Sequence, residues 1–172
     1  MPLVLNGTTG VQDNSGAFVA GTAVASTSGT SIDFTSIPSW VKRITVMFNG
    51  VSTNGSSAHL VQIGAGSVTT SGYLGSAGGS DGVSGNSVTN YTQGMGVEDL
   101  GNASLQITGA MVIVNFSGNI WTSSFSAGSG GIQRAYWGGS SVTLGGVLDR
   151  VRITTVNGTD VFDAGSINIL YE

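Results

Sequence analysis

The chain contains no cysteine, a single histidine (His59), two prolines and very little charge. Without cysteine there are no disulfides, no iron–sulfur clusters and no thiol catalysis, and the redox compartment stays open. Charged residues make up 8% of the sequence, against about 25% in ordinary globular proteins. The basic residues are Lys42, Arg43, Arg134, Arg150 and Arg152, two small pairs and a singleton, in a chain of net charge −4. A phosphate backbone requires a clustered Lys/Arg footprint, so no nucleic-acid partner is expected. The longest unbroken apolar run, Ala110 to Val114, is far short of the roughly 20 residues of a membrane-spanning helix. The N-terminus shows no basic region followed by an apolar core, and no secretion signal is expected from it.

Glycine, serine, threonine and asparagine fill the space that charge leaves. There are 29 glycines among 172 residues, yet 40% of the chain is hydrophobic and the mean hydropathy is +0.25. Disordered chains are poor in apolar residues and rich in net charge, so this composition indicates a folded protein. Glycines scattered between short apolar runs fit many turns. The length suits one domain, or one domain with a short extension. We expect an extended lead-in over residues 1–29, ordered by pairing with something else, and a globular β domain over residues 30–172.

Within that domain Val41 to Phe48 alternates Ile44, Val46 and Phe48 with Arg43, Thr45 and Met47, the period of a strand with one buried face. Met111 to Val114 reads as a strand buried on both faces. Further strands are expected at Thr30 to Phe34, Leu60 to Ile63, Ile120 to Phe125, Ile132 to Trp137, Val142 to Leu144, Leu148 to Val156 and Gly165 to Tyr171. Two phrases, Arg43 to Gly50 and Arg152 to Gly158, run from a strand into Asn-Gly, a pair that accepts the positive φ of tight hairpin turns. Gly64 to Val88, rich in glycine and serine, reads as a long loop, functional or mobile. No window carries a helical apolar stripe. The spacing predicts an all-β fold, an antiparallel β-sandwich of jelly-roll type.

Catalytic and metal signatures are sparse. Gly78-Gly79-Ser80-Asp81-Gly82 matches G-x-S-x-G, but no strand–turn–helix context is visible and His59 precedes the serine rather than following it. Glu98-Asp99 is an adjacent acidic pair. Neighbours on a strand point to opposite faces, so the pair does not by itself form a glycosidase site, and a surface or turn role is expected. Asp160 and Asp163 are expected to shape the closing turn. With one histidine and few acids, neither a zinc nor a calcium site is expected, phosphate and dinucleotide fingerprints are absent, and no cofactor and no catalysis are anticipated.

Aromatic residues carry most of the remaining information. Trp40, Phe48, Phe116 and Phe162 lie in or beside apolar runs and are expected in the core, and Trp121 in the core or an interface. Tyr73, Tyr91 and the pair Tyr136-Trp137 lie in polar, glycine-rich surroundings. There, stacking on a sugar ring competes with packing against a loop or a neighbouring subunit. With Asp81 and Asn86 as hydrogen-bonding groups, these residues form the candidate receptor-binding set.

The stretch Asp33 to Gly50, the ending Leu148 to Glu172 and the opening Leu3-Val4-Leu5-Asn6-Gly7-Thr8-Thr9-Gly10-Val11 resemble the C-terminal receptor-binding domains of tailed-phage and prophage tail-fibre proteins. The resemblance covers about the first 70 and last 30 residues and assigns no binding residue. It implies a virion protein made in the bacterial cytoplasm, usually a homotrimer. Such a protein adheres to a bacterial surface polysaccharide or outer-membrane protein and joins other tail proteins through its N-terminus. Two alternatives accompany it: a structural fibre or baseplate decoration protein without receptor contact, and, less favoured, a glycan-cleaving depolymerase.

Overall fold

A computed structural model describes residues 5–6, 10–11, 18–83 and 85–172; the rest of the expected lead-in lies outside the described residues. Among the described residues there is no helix. The strands are β1 (Leu5–Asn6), β2 (Gly10–Val11), β3 (Val19–Ala20), β4 (Val24–Ala25), β5 (Ile32–Thr35), β6 (Arg43–Thr53), β7 (His59–Ala65), β8 (Ser67–Val68), β9 (Leu74–Ser80), β10 (Asn86–Tyr91), β11 (Met95–Gly96), β12 (Ile107–Ser117), β13 (Ile120–Ser129), β14 (Arg134–Thr143), β15 (Arg150–Thr155) and β16 (Phe162–Tyr171). All pairings are antiparallel.

The large sheet runs β10-β9-β14-β13-β12-β6-β16-β3, with β4 also on β16. The small sheet runs β11-β7-β15-β5, with β8 on β7. Apolar side chains from both sheets form one core: Val46, Met111, Phe125 and Ile169 from the large sheet meet Val61, Ile63, Val151 and Ile153 from the small one. The β-sandwich expected from strand spacing is therefore the observed architecture. β6 alternates as its sequence indicates, with Ile44, Val46 and Phe48 buried and Arg43 and Asn49 exposed. The segment before the sandwich joins its edge, since β3 and β4 pair with β16 of the same chain.

Four readings of the sequence need correction. Neither Asn-Gly phrase makes a hairpin. Asn49-Gly50 lies inside β6, where Gly50 takes φ +64° and the register slips against β12 and β16. The positive φ is used for a bulge, and Gly50 N–H donates to Thr108 Oγ1 at 3.0 Å. Asn157-Gly158 does turn, with Gly158 N–H bonded to the Thr155 carbonyl at 3.0 Å. However, the turn carries the chain from β15 in the small sheet to β16 in the large one.

The expected loop Gly64 to Val88 is mostly strand. β9 and β10 pair in register from Tyr91↔Gly75 to Asn86↔Ser80, and β9 continues onto β14. Its glycines serve close approach rather than mobility, because a side chain on Gly75 would collide with β14 backbone and one on Gly79 with Tyr136 and Asp99. The fourth correction concerns β12. Met111 and Ile113 are buried, but Val112 is half-buried and Val114 exposed, so one face looks outward. Phe116 is 74% exposed because it shares the outward parity of Val112 and Val114, at the end of β12 where a bulge leaves it unpaired between Asn115 and Ser117.

Candidate functional site

The register places all six candidate residues on or beside β9, β10 and β14. Tyr136 pairs across from Gly79 and Trp137 from Gly78, while Asn86 opens β10 opposite Ser80 and Tyr91 closes it opposite Gly75. Tyr73 lies just before β9, and Asp81 follows it in the turn to β10. Successive residues on a strand face opposite ways, and this divides the set.

Three candidates point inward and cannot offer a ring to a ligand. Tyr73 is fully buried; its hydroxyl donates to the Thr69 carbonyl at 3.0 Å and accepts from Ile63 N–H at 2.9 Å. Burial pushes this phenol up to about 12, and Tyr136 likewise to about 12. Tyr91 donates its hydroxyl to the Glu98 carbonyl at 2.6 Å, and burial followed by the nearby Glu98 and Asp99 raises its pKa. These rings pack rather than bind because the glycines of β9 and β11 leave room for them: a side chain on Gly96 would collide with Tyr91.

Trp137 faces the other way and is 43% exposed. A Cβ on Gly78 would stand 3.0 to 3.2 Å from its Nε1, Cε2 and Cζ2 atoms, so the indole rests on the glycine. Around it the outer sheet face presents Ser76, Val88, Asn90, Ser124, Ser126 and Gly139. The strands β9, β10, β12 and β13 contain no charged residue, and β14 contains only Arg134, which turns inward. Shallow recesses lie at either end of this face. One of about 410 Å³ is lined by Leu74, Gly75, Ser76, Asn90 and Thr92, with Tyr73 and Tyr91 beside them. The other, of about 600 Å³, is lined by Ser80, Asp81, Thr108, Gly128, Arg134 and Ala135 among others. In the turn Asp81 accepts the Val83 N–H at 2.9 Å, and Asn86 is exposed.

Beneath this face sits a cluster that the sequence did not reveal. Glu98 and Asp99 are both buried, not on the surface. Glu98 Oε1 lies 2.6 Å from His59 Nδ1 and accepts the His59 backbone N–H at 2.8 Å, with the two side chains 0% and 2% exposed. Asp99 accepts from Arg134 at 2.9 Å and from the Ser87 hydroxyl. His59 is therefore an interior ion-pair partner rather than a strand-edge residue. Burial opposes its charged form, but Glu98, with smaller help from Asp160 and Asp163, outweighs that and raises its pKa. Arg134 also lies 5.8 Å from the Tyr136 ring centre. These bonds tie β7, β10 and β14 to residues 98 and 99 directly under the Trp137 face. Among the described residues no three potential ligands converge as a metal site would require.

A third groove, of about 400 Å³, crosses the small sheet past Gln62, Arg152 and Thr154. Three of its polar side chains already have partners: Arg152 is bidentate to Asp33, Gln62 donates to the Gln93 carbonyl, and Thr154 donates to the Thr30 carbonyl. The Trp137 face, whose hydroxyls and amides point outward, is the stronger candidate. Compared with protein-family models, with curated proteins and with solved structures, the chain matches none of them.

Proposed function

We propose that this chain is the receptor-binding tip domain of a tailed-phage tail fibre, adhering without catalysis to a glycan on the bacterial surface. The observation that carries the reading is Trp137, held half-exposed on Gly78 within a broad, uncharged sheet face of hydroxyl and amide groups. A supported indole stacks on the apolar side of a sugar ring, and the surrounding Ser and Asn bond its hydroxyls. The resemblance of Asp33 to Gly50 and of the C-terminal segment to tail-fibre tips supplies the biological setting. In that setting the domain is a homotrimer joined to other tail proteins through its N-terminal segment. Three weak sites acting together then raise apparent affinity, commonly by 10² to 10⁴. Adhesion rather than cleavage is supported by Glu98 and Asp99, whose carboxylates face His59 and Arg134 in the interior.

The test is adsorption of the purified labelled protein to host cells. Trp137→Ala should weaken it about tenfold or more, as loss of an anchoring aromatic does, while the circular-dichroism spectrum stays unchanged. Equal adsorption by the variant would defeat the reading.

One observation favours the structural alternative: Val114, Phe116 and Ile120 are exposed together at the β12–β13 hairpin, as a joint to another virion protein would need. If Phe116→Ser abolishes particle assembly while Trp137→Ala leaves adsorption intact, the decoration role replaces adhesion.

A further inference from the structure

Resting on the adhesion reading above, we infer that the Trp137 face takes an internal segment of a linear, electrically neutral glycan, laid along β9 and β14. Three features of the face point to this ligand.

The first is shape. The outward residues of β9 are Leu74, Ser76, Gly78 and Ser80, paired in β14 with Ser141, Gly139, Trp137 and Ala135. Six strand steps from Leu74 to Ser80 span roughly 20 Å, the reach of several linked pyranose rings. Trp137 stands at Gly78, four steps from Leu74 and two from Ser80, and a recess opens at each end of the row. Small residues on both sides of the indole keep the floor low: Gly139 beyond it on β14 and Ser76 beyond Gly78 on β9. Both recesses open to solvent, so a polymer can enter and leave.

The second feature is charge. A carboxylate-bearing or phosphorylated glycan calls for a guanidinium or ammonium partner; the one lysine, Lys42, precedes β6, away from β9 and β14, and each arginine of this chain is already bound to an acid. Arg134 holds Asp99, Arg150 holds Asp149, Arg152 holds Asp33 and Arg43 holds Glu172. Arg134, the one arginine beside the track, also reaches Ser87 at 3.3 Å and lies against the Tyr136 ring on the inner side of β14. The net charge of −4 repels a polyanion further.

The third is the kind of polar group offered. Ser76, Asn90 and Ser126 flank the indole, and each can both donate and accept. A sugar hydroxyl does the same, so neutral donors and acceptors match it without the cost of removing a charge from water.

The experiment is calorimetric titration and array binding of the full chain. The probes are neutral linear gluco-, galacto- and manno-oligosaccharides from mono- to hexasaccharide, with polygalacturonate and polysialic acid as polyanions. The expected result is binding to one neutral series, with affinity rising along the series and then levelling as the track fills. Trp137→Ala should weaken every member at least tenfold, and Trp137→Phe should restore part of the loss. Leu74→Arg, at the far end of the track and four strand steps from the Gly78 on which the indole rests, should leave the shortest bound sugar unchanged and remove the gain with length. Preference for a polyanion, or affinity independent of length, overturns the inference while adhesion through Trp137 stands. The inference is also overturned, in favour of a protein receptor, if no saccharide binds yet Trp137→Ala still abolishes cell adsorption. Loss of neither saccharide nor cell binding in Trp137→Ala overturns the adhesion reading itself.

Discussion

Replacing Glu98 with glutamine removes one charge from a site that water does not reach, and the consequences follow from the geometry. Glu98 Oε1 receives both the side-chain and the backbone hydrogen of His59. Glutamine can keep an oxygen there, but it cannot balance an imidazolium. Removing one partner of a buried ion pair costs about 3 to 5 kcal/mol, because the other is left uncompensated. The retained hydrogen bonds place this variant near the lower end, at about 3 kcal/mol. For a chain of this length that corresponds to a fall in Tm of about 6 to 12 °C, and to a urea midpoint lower by about 1 M or more.

The pH dependence supplies a second, independent signature. Folded His59 holds its proton more tightly than the unfolded chain, whose reference value is 6.5. Protonation therefore adds stability that is complete below that value and is lost as pH rises through the higher folded value. Groups facing the ring are Glu98, Asp160 and Asp163, with Phe162 at 5.9 Å between centres. Wild type should lose stability as pH climbs above 6.5, and Glu98→Gln should not, so the gap between them narrows with rising pH. Urea unfolding at several pH values and one fixed protein concentration reads both effects. Equal midpoints at pH 6, or parallel pH profiles, would refute the ion-pair account.

The other expectations are simpler. Arg134→Met leaves Asp99 buried without its cation and should lower stability by about 3 kcal/mol or more; Asp99→Asn in the same chain should recover part of it, and urea midpoints of the single and double variants check this. Gly50→Ala should cost about 1 to 2 kcal/mol from left-handed backbone strain alone, since a Cβ there meets nothing within 4 Å. Gly50→Asn should cost less, and chemical unfolding ranks the two. Because the outer strands lack charge, adsorption to cells should change little between 0.05 and 0.5 M salt, roughly a Debye length of 14 to 4 Å; a steep loss with salt in a binding titration would contradict a neutral contact.

What the sequence made legible was periodic. β6 declares its buried face through Ile44, Val46 and Phe48, and no helical stripe competes with it, so an all-β sandwich is readable directly. What it hid was spent on three-dimensional fit. Gly75, Gly78 and Gly79 look like linker composition, but each lies where β14 or an aromatic side chain approaches too closely for a Cβ. Asn-Gly signals a positive φ without saying whether that φ turns the chain or bulges a strand, and Gly50 does the second. Phe116 follows an apolar run closely enough to read as core, but it shares the outward parity of Val112 and Val114. In the candidate set the tyrosines and Trp137 have similar neighbours in sequence. Only the parity of β14 separates Tyr136, facing the core, from Trp137, facing out.

The buried acids show the same limit in electrostatic form. Glu98-Asp99 resembles a solvated turn, because acids are almost never fully buried unless paired. The clue available in the sequence was scarcity: with one histidine and five bases, two adjacent acids have few possible partners, and the sandwich brings one to each. The two pairings also divide the labour across the sheet. Asp99 and Arg134 hold β14 from its inner side, three residues from the indole that β14 presents on its outer side. A side chain whose rotamer rests on a glycine keeps its orientation only while the two strands keep their spacing. The ions beneath therefore do for Trp137 what a surrounding shell of contacts does in a pocket: they fix the platform so that little order remains to be lost when a ligand settles on it.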